Sequence, residues 1–155
     1  MKNSFGTRII GIILLFLILA GAIYIGGGPS AITAFIDFPS LLIVVIIILS
    51  MLLFTGQLTD YSRAISIGMG KTEYTMKELK SSSIAINLSI KICYLSGIIG
   101  TFIGIIQILR HLDDPSSVGP AISVSFLTVF YSLFINVIQY AIKAKIDKEI
   151  VYREK

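Results

Sequence analysis

The chain has 155 residues, of which 55% are hydrophobic and only 14% charged, with a formal net charge of +4 and a mean hydropathy of +0.88. A soluble domain carries about 25% charged residues, so this composition argues against an independent soluble domain. Four charge-free runs account for the deficit, at 9–36, 38–59, 92–109 and 118–142. Each has enough apolar residues, at about 1.5 Å of helical rise apiece, to cross most of a ~30 Å hydrocarbon layer. They predict an all-α membrane protein with a single membrane domain over 1–155 and four transmembrane helices, at about 6–26, 38–57, 88–110 and 118–142.

The first run follows Lys2 and Arg8 and contains Ala20, Gly21 and Ala22, which is also the pattern of a cleaved signal peptide. Its apolar core exceeds the usual 7–15 residues and the chain soon re-enters the membrane, so an uncleaved helix is expected. From Ile9 to Leu17 it is aliphatic on every side, the signature of a peripheral, lipid-facing helix. Gly26-Gly27-Gly28-Pro29-Ser30 is expected to stop this helix and begin an outer loop. No strand precedes those glycines and no lysine follows them closely, so they do not form a phosphate cradle.

Asp37-Phe38-Pro39-Ser40 opens the second span, with the acid at the positive end of the helix dipole and proline in the first turn. The span leaves the membrane at Thr55-Gly56-Gln57. The segment 58–87 mixes charged and apolar residues around Gly68 and Gly70. It reads as two short helical extensions of the second and third spans, too small to bury a core of its own.

In the third span Gly97, Gly100, Thr101, Gly104 and Gln107 recur at spacings of three and four, so they share a face, and Gly100-xxx-Gly104 permits close approach of another helix. The lone Cys93 is a small apolar filler, and Lys91 lies near the inner boundary, where its stem can snorkel to water. The turn Arg110-His111-Leu112-Asp113-Asp114-Pro115-Ser116-Ser117 has adjacent aspartates that diverge and no second histidine. It predicts helix-starting chemistry rather than a metal site, with Asp113 and Asp114 placed to attract cations at an outer mouth. The fourth span carries Ala121, Ser125, Thr128, Ser132, Asn136 and Gln139 at spacings of three or four. Such a polar stripe in an apolar helix must be buried against protein or water. It serves either helix–helix hydrogen bonding or the wall of a pore.

Twelve of the thirteen Lys and Arg residues lie before or at the start of the first span's apolar run, between the second and third spans or at the start of the third, or after the fourth; Arg110 is the exception. The positive-inside rule then places both termini and the central segment in the cytoplasm. The net positive charge reports topology and contact with anionic headgroups, not nucleic-acid binding. No nucleophile–base or metal constellation is present, so neither an enzyme nor a cofactor protein is expected. No Asp or Glu lies inside any of the four spans. A chain that conducts protons needs a titratable group at mid-depth, which another subunit would have to supply.

The run Gly97-Ile98-Ile99-Gly100-Thr101-Phe102-Ile103-Gly104, then Leu112 to Ala121 and Leu127-Thr128, closely resembles the MotA/TolQ/ExbB proton channel family. The resemblance is nearest to its MotA branch, the flagellar stator A-subunit. Gly26-Gly27 and Phe35 to Val44 resemble that branch's first hairpin. The resemblance implies a homopentamer in the bacterial cytoplasmic (inner) membrane, surrounding two copies of a single-span MotB-like or ExbD-like partner. The partner's membrane aspartate carries the proton- or sodium-coupled step, and ion flow turns the ring. By position, Thr101 and Thr128 are implied to line the ion path, flanked on the polar stripe by Ser125 and Ser132, with Gly97, Gly100 and Gly104 permitting helix packing. The alternative is a non-conducting oligomeric membrane scaffold.

This chain departs from the family pattern at three places. The segment 58–87 is much shorter than the charged domain with which a flagellar stator grips its rotor. The prolines usual before the glycine of the third helix and near the inner end of the fourth are replaced by Tyr94-Leu95 and Ala141-Ile142. The threonine of the last helix stands in Thr128-Val129 in place of a Thr-Thr or Gly-Thr pair.

Overall fold

The computed structural model describes residues 5–70 and 73–154. Lys2, Lys71 and Lys155, three of the cations used to orient the chain, lie outside these residues, as does the side chain of Arg8. The described residues form five α-helices and no strand: α1 (Phe5–Ala34), α2 (Phe38–Phe54), α3 (Leu58–Met69), α4 (Met76–Arg110) and α5 (Pro115–Arg153). Contacts divide the chain into two units, Met1–Asp37 and Phe38–Lys155.

The first unit is α1. Its apolar side chains, Ile10, Leu17 and Ile25 among them, are exposed. The helix does not stop at Gly26 as expected; it resumes after a single break at Gly28 (φ 70°, ψ −167°) and runs to Ala34. A left-handed φ is cheap for glycine alone, and Pro29 suits the first turn of the helical segment that follows. Thr33 Oγ1 donates to the Ser30 carbonyl at 2.7 Å, so the residues expected to form a loop are held in helical turns.

The second unit contains α2 to α5. At 17 residues, α2 lies at the lower limit for crossing a bilayer. It ends at Gly56 (φ 68°), and α3 leaves at 119° to it. The segment after Gly56 is therefore a separate helix, not the expected extension of α2, because a left-handed glycine redirects the chain at no steric cost. Three helices, α1, α4 and α5, are long and apolar enough to cross a membrane, and the bent pair α2 and α3 would make a fourth.

The helix α4 starts well before its apolar run. Thr75 caps it, accepting from the Glu78 backbone N–H at 3.3 Å while Glu78 Oε2 accepts from the Thr75 backbone N–H at 2.9 Å. This reciprocal capping box holds the exposed Glu78 carboxyl below its ordinary pKa, chiefly through the Thr75 backbone hydrogen bond. From Met76 the helix continues for 35 residues, about 52 Å. After a short turn, α5 returns antiparallel beside it for 39 residues.

At the basic end of this unit α3 does find a core. Ala64, Ile67, Leu79, Ile86, Ile90 and Ile146 are all buried together. The segment 58–87 supplies part of that core, and Ile90 farther along α4 and Ile146 in the tail of α5 supply the rest, which is how so short a stretch overcomes its lack of apolar area. Gly68 makes the crossing possible, since a Cβ there would lie 2.8 Å from Ile142 Cγ1. Lys145 Nζ donates to the Ile67 carbonyl and, at 3.4 Å, to that of Gly68, closing the C-terminus of α3 with a cation where the helix dipole favours one. Ser83 Oγ donates to Asp147 Oδ1 at 2.6 Å and Lys143 pairs with the same carboxylate. A second cluster joins Val44, Ile48 and Leu52 of α2 to Ile92 and Cys93 of α4.

Candidate functional site

The sequence places glycines on one face of α4 and small polar residues on one face of α5. The fold brings these two faces against each other. Gly97, Gly100 and Gly104 are all buried, and each receives one residue of the α5 stripe. A Cβ at Gly97 would overlap Ser132, falling 2.9 Å from its Cβ; at Gly100 it would overlap Thr128, 2.7 Å from its Cβ. At Gly104 it would overlap Ser125 Oγ and come within 2.9 Å of the Ala121 carbonyl and the Ser125 nitrogen. Close backbone approach of this kind is the means by which helices associate in lipid, where no hydrophobic drive separates helix from solvent.

The hydroxyls at this end of the seam are all satisfied locally. Thr128 Oγ1 donates to the Val124 carbonyl at 2.5 Å, Ser132 Oγ to Val129 at 2.9 Å and Ser125 Oγ to Ala121 at 3.2 Å. These bonds return to the preceding turn of the same helix, as Ser and Thr do in apolar helices. Thr101 and Ser125 also reach across the seam: Thr101 Oγ1 donates to Gly97 O at 3.0 Å on its own helix and to Ser125 O at 3.3 Å on the other, and Ser125 Oγ lies 3.4 Å from the Thr101 carbonyl. Thr101 is half-buried, whereas Thr128 is fully enclosed and Ser125 and Ser132 nearly so. Ser40 of α2 reaches the same stretch of α5, 3.4 Å from the Val124 carbonyl.

Toward the basic end the seam changes character. Asn136 and Gln139 are 1% and 2% exposed, yet among the described residues neither end of either amide has a hydrogen-bond partner, and the same is true of Ser82 Oγ; the fully buried Ser89 hydroxyl faces Tyr61 of α3. Leaving such a group unpaired in a buried site costs about 1–3 kcal/mol. Asn136 and Gln139 stand on the stripe recognised in the sequence; Ser82 and Ser89 escaped notice there. Their signal was the seven-residue repeat Ser82, Ser89, Ser96 along α4, all three fully buried.

At the other end, Asp114 caps α5. It accepts from Ser116 N–H at 3.1 Å, Ser116 Oγ at 2.6 Å and Ser117 Oγ at 2.7 Å. The Ser116 hydroxyl, followed by that of Ser117, holds its carboxyl below the ordinary range. A cavity of about 280 Å³ opens beside this cap, lined by Gln107, His111, Ser116, Ser117, Pro120, Ala121 and Val124. Asp113 and Asp114 are exposed near it but do not line it. His111 Nδ1 lies 2.9 Å from the Gln107 carbonyl.

The sequence pattern of the MotA/TolQ/ExbB proton channel family matches residues 59–154, which includes α3, α4, the acidic turn and the whole of the α4–α5 seam. Motility protein A of Cereibacter sphaeroides is 35% identical over 53% of this chain and 36% of its own length. Motility protein A of Aquifex aeolicus is 42% identical over 34% of this chain and 21% of its length. Chemotaxis protein PomA of Vibrio alginolyticus is 37% identical over 33% of this chain and 21% of its length. The chain thus spans about a third or less of the curated relatives it matches. Glycine-to-hydroxyl packing between two apolar helices lies inside the matched region, and the chain belongs to the MotA/TolQ/ExbB proton channel family, on its MotA side.

Proposed function

We propose that this chain is the ring-forming subunit of an ion-driven motor or energy-transducing channel in the bacterial inner membrane. Copies of it, a homopentamer by the family pattern, surround a single-span MotB-like or ExbD-like partner. The observation that carries this reading is the absence of any carboxylate from a channel-family chain's apolar runs, 38–59, 92–109 and 118–142. Proton or sodium transfer at mid-depth calls for an ionisable ligand, and the partner supplies it. The clustering of basic residues, read by the positive-inside rule, supports a cytoplasmic location for the termini and for the segment between the second and third spans. The load is something other than, or only weakly coupled to, a standard flagellar rotor, since only α3 and a short loop stand between α2 and α4.

Among the candidate residues Thr101 has the best access to an ion, since it stands half-buried at the rim of the seam with a hydroxyl between both helices. Thr128, Ser125 and Ser132 form the wall behind it and reach the path through Thr101. Asp113 and Asp114 add negative potential at the outer mouth. A non-conducting scaffold is the second reading, favoured by the hydroxyls of Thr128 and Ser132, which bond only within α5. Ion flux into vesicles containing the chain and its partner separates the two. Thr101→Val should lower flux by roughly tenfold, by removing a polar ligand from the path, and Thr128→Val should lower it less. Undiminished flux in Thr101→Val would remove Thr101 from the path, and no flux from the wild-type pair would leave the scaffold.

A further inference from the structure

We propose that the basic-side half of the α4–α5 seam is an internal water-binding site held by Asn136, Gln139 and Ser89, and that it forms the leg by which an ion leaves the hydroxyl half. The second part rests on the conducting function proposed above; the first does not.

The register of the two helices brings these groups together. Gly97 lies against Ser132 and Ser83 bonds Asp147, so Asn136 stands near the level of Cys93 and Gln139 near that of Ile90 and Ser89. All three side chains are almost completely enclosed by this chain's own helices, which leaves no access for a side chain of another protein. Small neighbours, Ala85, Cys93 and Ser96, are also buried along this part of α4. Both Nδ2 and Oδ1 of Asn136, and both Nε2 and Oε1 of Gln139, are unpaired.

That combination selects the ligand. A cation would satisfy the two amide oxygens and leave the N–H groups facing it; an anion would do the reverse. Water donates and accepts, and a buried water typically makes two to four hydrogen bonds to otherwise unsatisfied polar groups. The polar line also has a continuation. Tyr61 of α3 lies beside Ser89, and Gln57, at the elbow between α2 and α3, has a buried and unpaired Oε1. The groups therefore lead from the middle of the seam to the basic end.

The test is radiolytic hydroxyl labelling of the full chain in vesicles in ¹⁸O-enriched water, which marks side chains beside bound water. Cys93 and Ile90, both buried, should be labelled, while Leu127 in the dry half should not. Asn136→Leu with Gln139→Leu should reduce labelling at Cys93 at least about tenfold, and Asn136→Ser, which keeps a polar group and leaves room for water, should retain it. With the partner present, Asn136→Leu should lower ion flux by about the same factor and Asn136→Ser should not. A wild-type chain with no label at Cys93 or Ile90 overturns the water site, whatever the flux. Label present with undiminished flux in Asn136→Leu overturns the exit role. Label present with no wild-type flux overturns the conducting function and leaves the water site standing.

Discussion

The two halves of the α4–α5 seam carry the same kind of sequence pattern and use it in opposite ways. In the turn-side half, glycines of α4 receive Ser125, Thr128 and Ser132, and every one of those hydroxyls finds a carbonyl on its own helix, Ser125 reaching that of Thr101 on α4 as well. In the basic-side half, Asn136 and Gln139 continue the stripe with the same spacing, yet their amides find no partner. The difference is chemical. A hydroxyl on a short stem can bond the carbonyl three or four residues back. An amide carries an acceptor oxygen as well as its N–H donors, on a longer stem, and the preceding helical turn presents carbonyls but no free donor for that oxygen. The stripe thus makes a tightly packed, locally bonded contact where it consists of Ser and Thr, and leaves unpaired polar atoms where it consists of Asn and Gln.

The comparison is most directly broken at the glycines. Gly104→Ala should cost about 1–3 kcal/mol through overpacking, because its new Cβ meets backbone atoms of Ala121 and Ser125 that cannot rotate away. Thermal unfolding in detergent measures this. Gly97→Ala meets only the Ser132 side chain closely, so it should cost less and be largely restored by Ser132→Gly. Neutral behaviour of Gly104→Ala would mean that close approach is not the purpose of the glycine stripe.

The amide half comes next. If water occupies it, Asn136→Leu expels that water, strands Gln139, and should destabilise by about 1 kcal/mol or more. A dry site would respond in the opposite sense, gaining stability on loss of an unpaired amide. Thr128→Val should have a smaller effect, under about 1 kcal/mol, since its hydroxyl bond lies within α5 and the shape is nearly kept. Denaturation of the two variants side by side sharpens the contrast between the halves.

The smallest effect concerns the cap beside the outer cavity. The folded Asp114 carboxyl titrates below its ordinary value, so the order it contributes is present above the unfolded pKa and is lost as pH falls through the folded one. Hydrogen exchange of the Ser116 and Ser117 amides should therefore accelerate on acidification. Asp114→Asn should keep the cap and abolish that pH dependence; an unchanged profile in Asp114→Asn would assign the acid sensitivity elsewhere.

Much of the seam was legible before folding. Spacings of three and four mark Gly97, Gly100 and Gly104 as one face and Ser125, Thr128 and Ser132 as another, because 3.6 residues per turn relate position to direction. The acidic turn was equally readable, since Asp-Pro-Ser-Ser is helix-starting chemistry, although which aspartate caps was not. The basic end was read less well. Ile146 completes the core of Ala64, Ile67 and Leu79 from far along the chain, and no local pattern announces such a contact. Gly28 breaks α1 without ending it, and Gly56 ends the second span where expected but turns the chain sharply into α3. A glycine permits a turn, a kink or an unbroken continuation, and the surrounding packing selects among them.

By itself the sequence determined that this is a helical chain with several apolar spans, which side chains share a face, where the charges gather, and that no span carries a carboxylate. Family membership follows from the same local patterns. Only the tertiary structure decided that the glycine face and the hydroxyl face meet within a single chain, that Thr101 stays at the rim while Thr128 is enclosed, and that Asn136 and Gln139 are sealed in without partners. The physical reason is that periodicity gives the angle of each residue about its own helix axis. Which face meets which depends on the rotation and sliding of one helix against another, and those are settled by packing across the seam.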